Sequence, residues 1–379
     1  MKLVVDENIV LAEEAFGSFG NLLLINGRKI TNEVLRDAEI LIVRSITGVN
    51  KELLTNTKVK FVGTATIGTD HIDTDYLLKE NIEFSDARGC NANSVAEYVI
   101  TALTRIAVEN KLSIKNKTIG IIGVGNVGSR VVEFAKAMGL TVLKNDPPKE
   151  RVNIGRGYSK LDEVLQADIV TLHVPLNLTG IDKTFHLLNE NNLTNLKQGT
   201  ILINTSRGPV IDNDVLSHLL DKKQLKVVLD VWEGEPLINT ELLKKVKIGT
   251  AHIAGYSLEG KVNGTKMIYN SLSKFTSSNT DWKPLLPQVN ESEIKLPLTG
   301  TEEEKLHFVF KKIYNIKNDD SLLRKLLTII EPEAGRYFDK LRKEYSVRRE
   351  FNNYTLKVKE AESVFNDLLK TLGFELKYY

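Results

Sequence analysis

Hydrophobic positions along this chain follow two rhythms. Short apolar runs bounded by polar residues at 3–5, 39–43, 60–63 and 82–85 have the length of buried strands, and the patterns at 32–37 and 74–80 have helical spacing. That alternation predicts a parallel sheet with helical crossovers. From Val95 a helical pattern runs through Val99, Leu103, Ile106 and Ala107 to near Lys111. It leads into a second set of strand-like runs at 118–122, 141–146, 168–174, 200–204, 227–231 and 247–253, after which a long helical pattern at 258–274 returns the chain. Near residue 286 the rhythm changes. Pro284, Pro287 and Pro297 punctuate the chain, helical patterns follow at 302–313, 321–330 and 336–343, and strand-like pieces at 354–359 and 374–379 flank a helix at 361–372. The predicted fold is α/β, with two doubly wound parallel-sheet (Rossmann-like) domains, 1–94 with 257–285 and 95–256, and a small α+β domain at 286–379.

The apolar run at 118–122 breaks into Gly123-Val124-Gly125-Asn126-Val127-Gly128 and continues as a helix through Phe134, Ala135 and Met138. In this G-x-G-x-x-G spacing Gly123 allows a tight turn, Gly125 lets the backbone approach phosphates with no side chain between, and Gly128 lets helix and strand pack closely. The unpaired N–H groups opening the helix then suit a pyrophosphate. The next strand ends in Asp146, at about the twenty-residue offset expected of a ribose-binding carboxylate.

Charge and cysteine content narrow the class. In 379 residues, 51 Lys and Arg stand against 49 Asp and Glu, so bulk charge directs the chain to neither nucleic acid nor an anionic membrane. The single Cys90 excludes an internal disulfide and a multi-cysteine zinc site. The N-terminus turns acidic at Asp6-Glu7 before a signal-like region forms, and no apolar run reaches membrane-spanning length, so the expected location is cytoplasmic.

Three later strand ends carry polar groups, at the edge where open α/β sheets bind ligands. They are Arg207 in N-T-S-R-G, Asp230 and Glu235 in D-V-W-E-G-E-P, and His252 in H-I-A-G. An imidazole can take the proton of a hydroxyl as hydride leaves the same carbon, a carboxylate on its other nitrogen fixes the tautomer, and a guanidinium can clamp a substrate carboxylate. Glu233 competes with Glu235 on spacing. In this order the motifs resemble the D-isomer-specific 2-hydroxyacid dehydrogenase family over about residues 1–280.

The resemblance implies NAD as cofactor, His252 as acid/base, Glu235 (directly before the proline) as its partner, and Arg207 as substrate anchor. It implies cofactor contacts from Gly123, Gly125, Asn126, Val127, Gly128, Val174, Thr205 and Gly255, with Asp230 on the nicotinamide carboxamide and Asp146 on the adenosine ribose. A 2′-phosphate about 4 Å from that acid would be repelled by roughly 4 kcal/mol at an effective dielectric near 20, which favours NAD over NADP. Three further stretches narrow the resemblance to a branch acting on a small phosphorylated 2-hydroxy acid: Arg44-Ser45, the Thr-rich loop at 63–73, and Tyr256-Ser257-Leu258-Glu259-Gly260-Lys261 after the histidine motif. Arg44, Ser45, Thr66 and Tyr256 are then expected at the substrate, with carboxylate and phosphate not yet distributed among them. This branch also implies a homodimer through the C-terminal domain. Another phosphoglycerate- or hydroxypyruvate-type enzyme, or an NAD-sensing binding module of the same fold, remain as alternatives. Asp70, His71 and Asp73 are read as helix-start residues, with Thr69 or Asp70 as the cap, rather than as a metal cluster; no metal is expected. The basic stretch at 340–349 is read as a solvated helix face, with Arg348 and Arg349 as candidates to reach a neighbouring subunit.

Overall fold

The computed structural model describes residues 1–152, 157–278, 281–331, 333–360 and 362–379. The chain divides into two compact units, Met1–Asn91 with Ser257–Gln288 and Ala92–Tyr256 with Val289–Tyr379.

The first unit is built on β1 (Lys2–Asp6), β2 (Asn21–Ile25), β3 (Ile40–Val43), β4 (Phe61–Thr64) and β5 (Glu83–Asp86), all parallel in the order β2-β1-β3-β4-β5. The run Ile-Leu-Ile-Val of β3 is buried throughout, as a central strand covered on both faces requires. The helix Leu258–Phe275 begins where the Ser257 hydroxyl accepts the Gly260 N–H at 2.8 Å, and Ile268, Tyr269 and Leu272 enter the core with Leu3, Val5 and Phe61. The loop at 63–73 ends in a cap supplied by Asp73, which accepts the Tyr76 N–H at 2.9 Å, and not by Thr69 or Asp70.

The second unit carries β6 (Thr118–Ile122), β7 (Thr141–Asn145), β8 (Ile169–Leu172), β9 (Ile201–Asn204), β10 (Lys226–Leu229) and β11 (Ile248–Gly249), parallel in the order β11-β10-β9-β8-β6-β7. The helix Ala92–Glu109 is buried continuously from residue 94 to 107, including Ser94, Glu97, Thr101, Thr104 and Arg105, so it has neighbours on all sides. Residues 289 onward belong to this unit and add β12 (Glu293–Lys295), β13 (Thr355–Val358) and β14 (Glu375–Tyr378), parallel in the order β12-β13-β14. Thr301 and Glu304 close a capping box on the helix Glu302–Ile313, and Phe310, Phe351 and Phe374 stack with ring centroids 4.7 and 4.9 Å apart.

In each large sheet the strand order reverses beside the first strand, β1 or β6, and ligands of such sheets bind beyond the strand ends at that switch. Two elements differ from expectation. The run at 247–253 forms a strand only over Ile248–Gly249, because the backbone beyond it turns onto Asp230. The pattern at 321–330 divides into a helix, Ile316–Leu323, and a 3-10 turn, Arg324–Thr328. The predicted helix at 361–372 is described as Ser363–Thr371; Ala361 lies outside the described residues. Among the described residues no helix is long and apolar enough to cross a membrane.

Candidate active site

The glycine turn separates what the fold needs from what a ligand needs. Gly123 sits at φ +85°, and a Cβ on Gly128 would lie 1.9 Å from the Gly123 carbonyl oxygen, so both are required by the turn itself. Gly125 is different. Its φ is −71° and a Cβ there would meet nothing within 4 Å, so no neighbour in the chain demands a glycine. An open position at the start of the helix Asn126–Ala137, where N–H groups are unpaired, is the cradle a pyrophosphate needs, and the residues present fit a dinucleotide. Asn126 and Val127 open that helix. Asp146 follows β7 and braces the turn by accepting the Val124 N–H at 2.8 Å and the Lys149 N–H at 3.1 Å.

Val174 and Thr205 follow β8 and β9 near the turn; a Cβ on Gly123 would touch the Val174 side chain at 2.8 Å. His173 bridges Thr171 at 3.0 Å and Thr205 at 3.3 Å. Burial lowers its imidazole to about 3, so it is neutral near pH 7.

Beyond β10 and β11 the predicted acids and imidazole come together. His252 Nδ1 lies 2.8 Å from Glu235 Oε2, while Glu235 Oε1 accepts the Trp232 N–H at 2.8 Å. Burial alone would push the Glu235 carboxyl up; the His252 charge and hydrogen bond and the Trp232 N–H outweigh it and hold the carboxyl below its usual range. Glu233 is engaged elsewhere: its Oε1 lies 2.7 Å from His186 Nε2 and its Oε2 accepts the Asn213 N–H at 3.2 Å. The competition between the two glutamates therefore resolves to Glu235.

Asp230, 1 % exposed, organises the segment that carries the histidine. Its Oδ1 accepts the Thr250 hydroxyl at 2.6 Å and the Ile253 N–H at 2.8 Å, its Oδ2 accepts the Ala254 N–H at 2.9 Å, and its carbonyl accepts the His252 N–H at 2.7 Å. His252 is held at φ +56°, an uncommon conformation for a residue other than glycine. Arg207 leaves β9 through a turn in which Asn204 Oδ1 accepts the Ser206 N–H and hydroxyl at 3.0 and 2.7 Å, and its Nη1 donates to the Ser206 carbonyl at 2.8 Å. Gly255 and Tyr256 follow the histidine segment, where the Tyr256 N–H donates to the Ile253 carbonyl at 2.9 Å.

In the first unit, Arg44 follows β3 and its Nη1 reaches the Asn8 carbonyl at 3.5 Å. Ser45 is exposed beside it. Thr66 hydrogen-bonds Thr64 at 2.7 Å, and Thr64 also meets His71 Nε2 at 3.1 Å.

The basic stretch at 340–349 is not simply solvated. Arg342 stacks over the Tyr256 ring at 5.8 Å, and its charge contributes to holding the Glu235 carboxyl down. Arg348 is 5 % exposed, and its Nη2 donates to the Ser94 hydroxyl of its own chain at 2.9 Å. Neither placement was readable from the sequence, since both depend on packing between segments far apart in the chain. The pairing of His186 with Glu233 and, at 3.5 Å, with Asp212 was also missed; their separation in the chain left no local signal.

Residues 97–254 match the family described as D-isomer specific 2-hydroxyacid dehydrogenase, NAD binding domain, and residues 285–373 match a domain of unknown function. Curated relatives named erythronate-4-phosphate dehydrogenase include one from Hahella chejuensis, 42% identical with 99% of each chain covered. Another, from Klebsiella pneumoniae, is 43% identical with 100% of this chain and 99% of the relative covered. Among solved structures, the Aquifex aeolicus D-lactate dehydrogenase complexed with NAD and lactic acid is 26% identical at a TM-score of 0.58, covering 74% of this chain and 96% of that one. The NAD-bound 3-phosphoglycerate dehydrogenase of Entamoeba histolytica is 25% identical at a TM-score of 0.63, covering 74% of this chain and 96% of that one.

Proposed function

The chain belongs to the erythronate-4-phosphate dehydrogenase family of D-isomer-specific 2-hydroxyacid dehydrogenases, and we propose that it oxidises 4-phospho-D-erythronate at C2 with NAD, giving 2-oxo-3-hydroxy-4-phosphobutanoate and NADH in the formation of pyridoxal phosphate. The observation that carries the reading is the 2.8 Å contact between His252 Nδ1 and Glu235 Oε2. With Nδ1–H donated to the carboxylate, the lone pair of the neutral ring lies on Nε2, where it can accept the C2 hydroxyl proton. Glu235 then stabilises the imidazolium that forms.

Arg207 holds the substrate carboxylate through parallel hydrogen bonds and polarises the adjacent C2 oxygen. Ser45, Thr66 and Tyr256 contribute hydroxyls to the anionic groups of the substrate, and Arg44 adds positive charge. NAD, when bound, supplies the hydride acceptor. Gly123, Gly125, Asn126, Val127 and Gly128 hold its pyrophosphate, Asp146 its adenosine ribose, and Val174, Thr205, Asp230 and Gly255 its nicotinamide half. We extend the proposal to a cytoplasmic homodimer assembled through the C-terminal region, where Leu298, Ile330, Val347 and Val364 are exposed apolar side chains; a monomeric mass in sedimentation at micromolar concentration would remove that part.

The test of the reaction is NADH absorbance with purified protein and NAD against 4-phosphoerythronate, 3-phosphoglycerate, glycerate and lactate. The highest kcat/KM is expected for 4-phosphoerythronate. Better turnover of any of the other three acids would replace this substrate.

A further inference from the structure

The catalytic histidine segment is gripped on two sides. Asp230 takes the N–H groups of residues 252, 253 and 254 through its carbonyl and carboxylate. The opposite grip comes from Arg348, whose Nη2 donates to the Ala254 carbonyl, to the Ser94 hydroxyl at 2.9 Å and to the Ser94 carbonyl at 3.3 Å. Its guanidinium also lies 4.6 Å from the centre of the Tyr314 ring.

The arginine is itself held in place. The Phe351 N–H donates to Glu97 Oε1 at 2.9 Å, and Asn93 Nδ2 donates to Glu350 Oε2 and Glu97 Oε1, each at 2.8 Å. The 348–351 segment is thereby stitched to the helix Ala92–Glu109. A buried guanidinium is expensive to desolvate, and its Nη1 is buried with no hydrogen-bond partner among the described residues. For packing alone, an apolar side chain in this position would serve at lower cost. What an apolar side chain cannot do is hold the Ala254 carbonyl two residues from His252, whose φ of +56° needs external support.

We propose that Arg348 is a positioning residue for the dehydrogenase reaction: by fixing the Ala254 carbonyl against the hold of Asp230, it sets the His252 imidazole in its working orientation. The C-terminal segment thus takes part in the catalytic step of its own chain. The proposal rests on His252 as the acid/base. A displacement of a catalytic group by about 1 Å lowers turnover on the order of a hundredfold without affecting a distant binding contact.

The experiment compares Arg348→Met, Arg348→Lys, Arg348→Ala and His252→Asn in the full-length protein. Arg348→Met is expected to lower kcat about 30- to 100-fold while the NAD dissociation constant stays within about threefold. Arg348→Lys should recover part of the loss, and guanidinium ion at tens of millimolar should raise the kcat of Arg348→Ala several-fold. A folded Arg348→Met with kcat within twofold of the parent overturns the proposal, as does a parallel loss of kcat and NAD affinity with no guanidinium rescue. If the Arg348 variants do not fold, Ser94→Ala decides: kcat reduced several-fold with NAD binding retained supports the grip, and unchanged kcat removes it. An active His252→Asn variant would instead defeat the underlying acid/base reading. An inactive His252→Asn beside a normal Arg348→Met would defeat only the positioning role.

Discussion

Replacing Glu235 with Gln isolates the charge on the histidine's partner while keeping its shape. The carboxylate lies 2.8 Å from His252 Nδ1, with side-chain exposures of 21% for Glu235 and 31% for His252. Two opposite unit charges about 4 Å apart attract by about 4 kcal/mol at an effective dielectric near 20. Because both side chains are partly open to water we halve that, to about 2 kcal/mol of imidazolium stabilisation lost in the transition state, or about thirtyfold in kcat. The amide can also present an N–H to Nδ1 and favour the wrong tautomer, which extends the expected range to about 30- to 300-fold. The assay is initial-rate NADH formation at saturating NAD across pH, with NAD affinity measured separately by tryptophan fluorescence.

NAD affinity should change by less than about threefold, since the carboxylate's recorded hydrogen bonds go to His252 and Trp232. A variant with kcat within threefold of the parent would show that the dyad does not carry the proton.

Gly125→Ala should leave thermal stability nearly unchanged, since a Cβ there meets nothing within 4 Å, yet weaken NAD about tenfold; Gly128→Ala, with a Cβ 1.9 Å from the Gly123 oxygen, should destabilise the fold itself. Equal melting shifts in the two variants would contradict this division. Asp146→Ala should narrow the NAD/NADP preference by removing the repulsion of a 2′-phosphate, and an unchanged ratio would place the ribose acid elsewhere. His173 is depressed to about 3 from 6.5 by burial, so its contribution to stability is complete above pH 6.5 and is lost as pH falls toward 3. Denaturant unfolding should therefore show the parent losing about 1–2 kcal/mol more than His173→Gln between pH 7 and pH 5; parallel curves would refute it.

Much of this fold is legible because a parallel sheet covered on both faces writes itself as unbroken apolar runs. Ile40–Val43 and Ile201–Asn204 are buried along their whole length and stand out in the sequence. β2, at the edge of its sheet, was not anticipated: Leu23 and Leu24 are 39% and 37% exposed, and the short apolar run Leu22–Ile25 alone does not distinguish strand from helix. β11 was overestimated because the hydrogen bonds that shorten it come from Asp230, on a different strand end. The glycine turn could be read from motif spacing, whereas spacing left both Glu233 and Glu235 open as the partner of His252 and only the family resemblance selected Glu235. The hold of Arg348 on Ser94 spans 254 positions, and no local pattern encodes it. The same holds for Arg342 beside Tyr256, which as sequence is one more cation in a basic helix.

The central claim is that the His252 imidazole takes the proton as hydride leaves the substrate. Its most direct measurement is the single-turnover rate of NADH formation by His252→Asn with NAD and 4-phosphoerythronate both saturating. A fall of about 10²- to 10⁴-fold, with NAD bound as tightly as by the parent, is the predicted result. A rate within about tenfold of the parent would contradict the account.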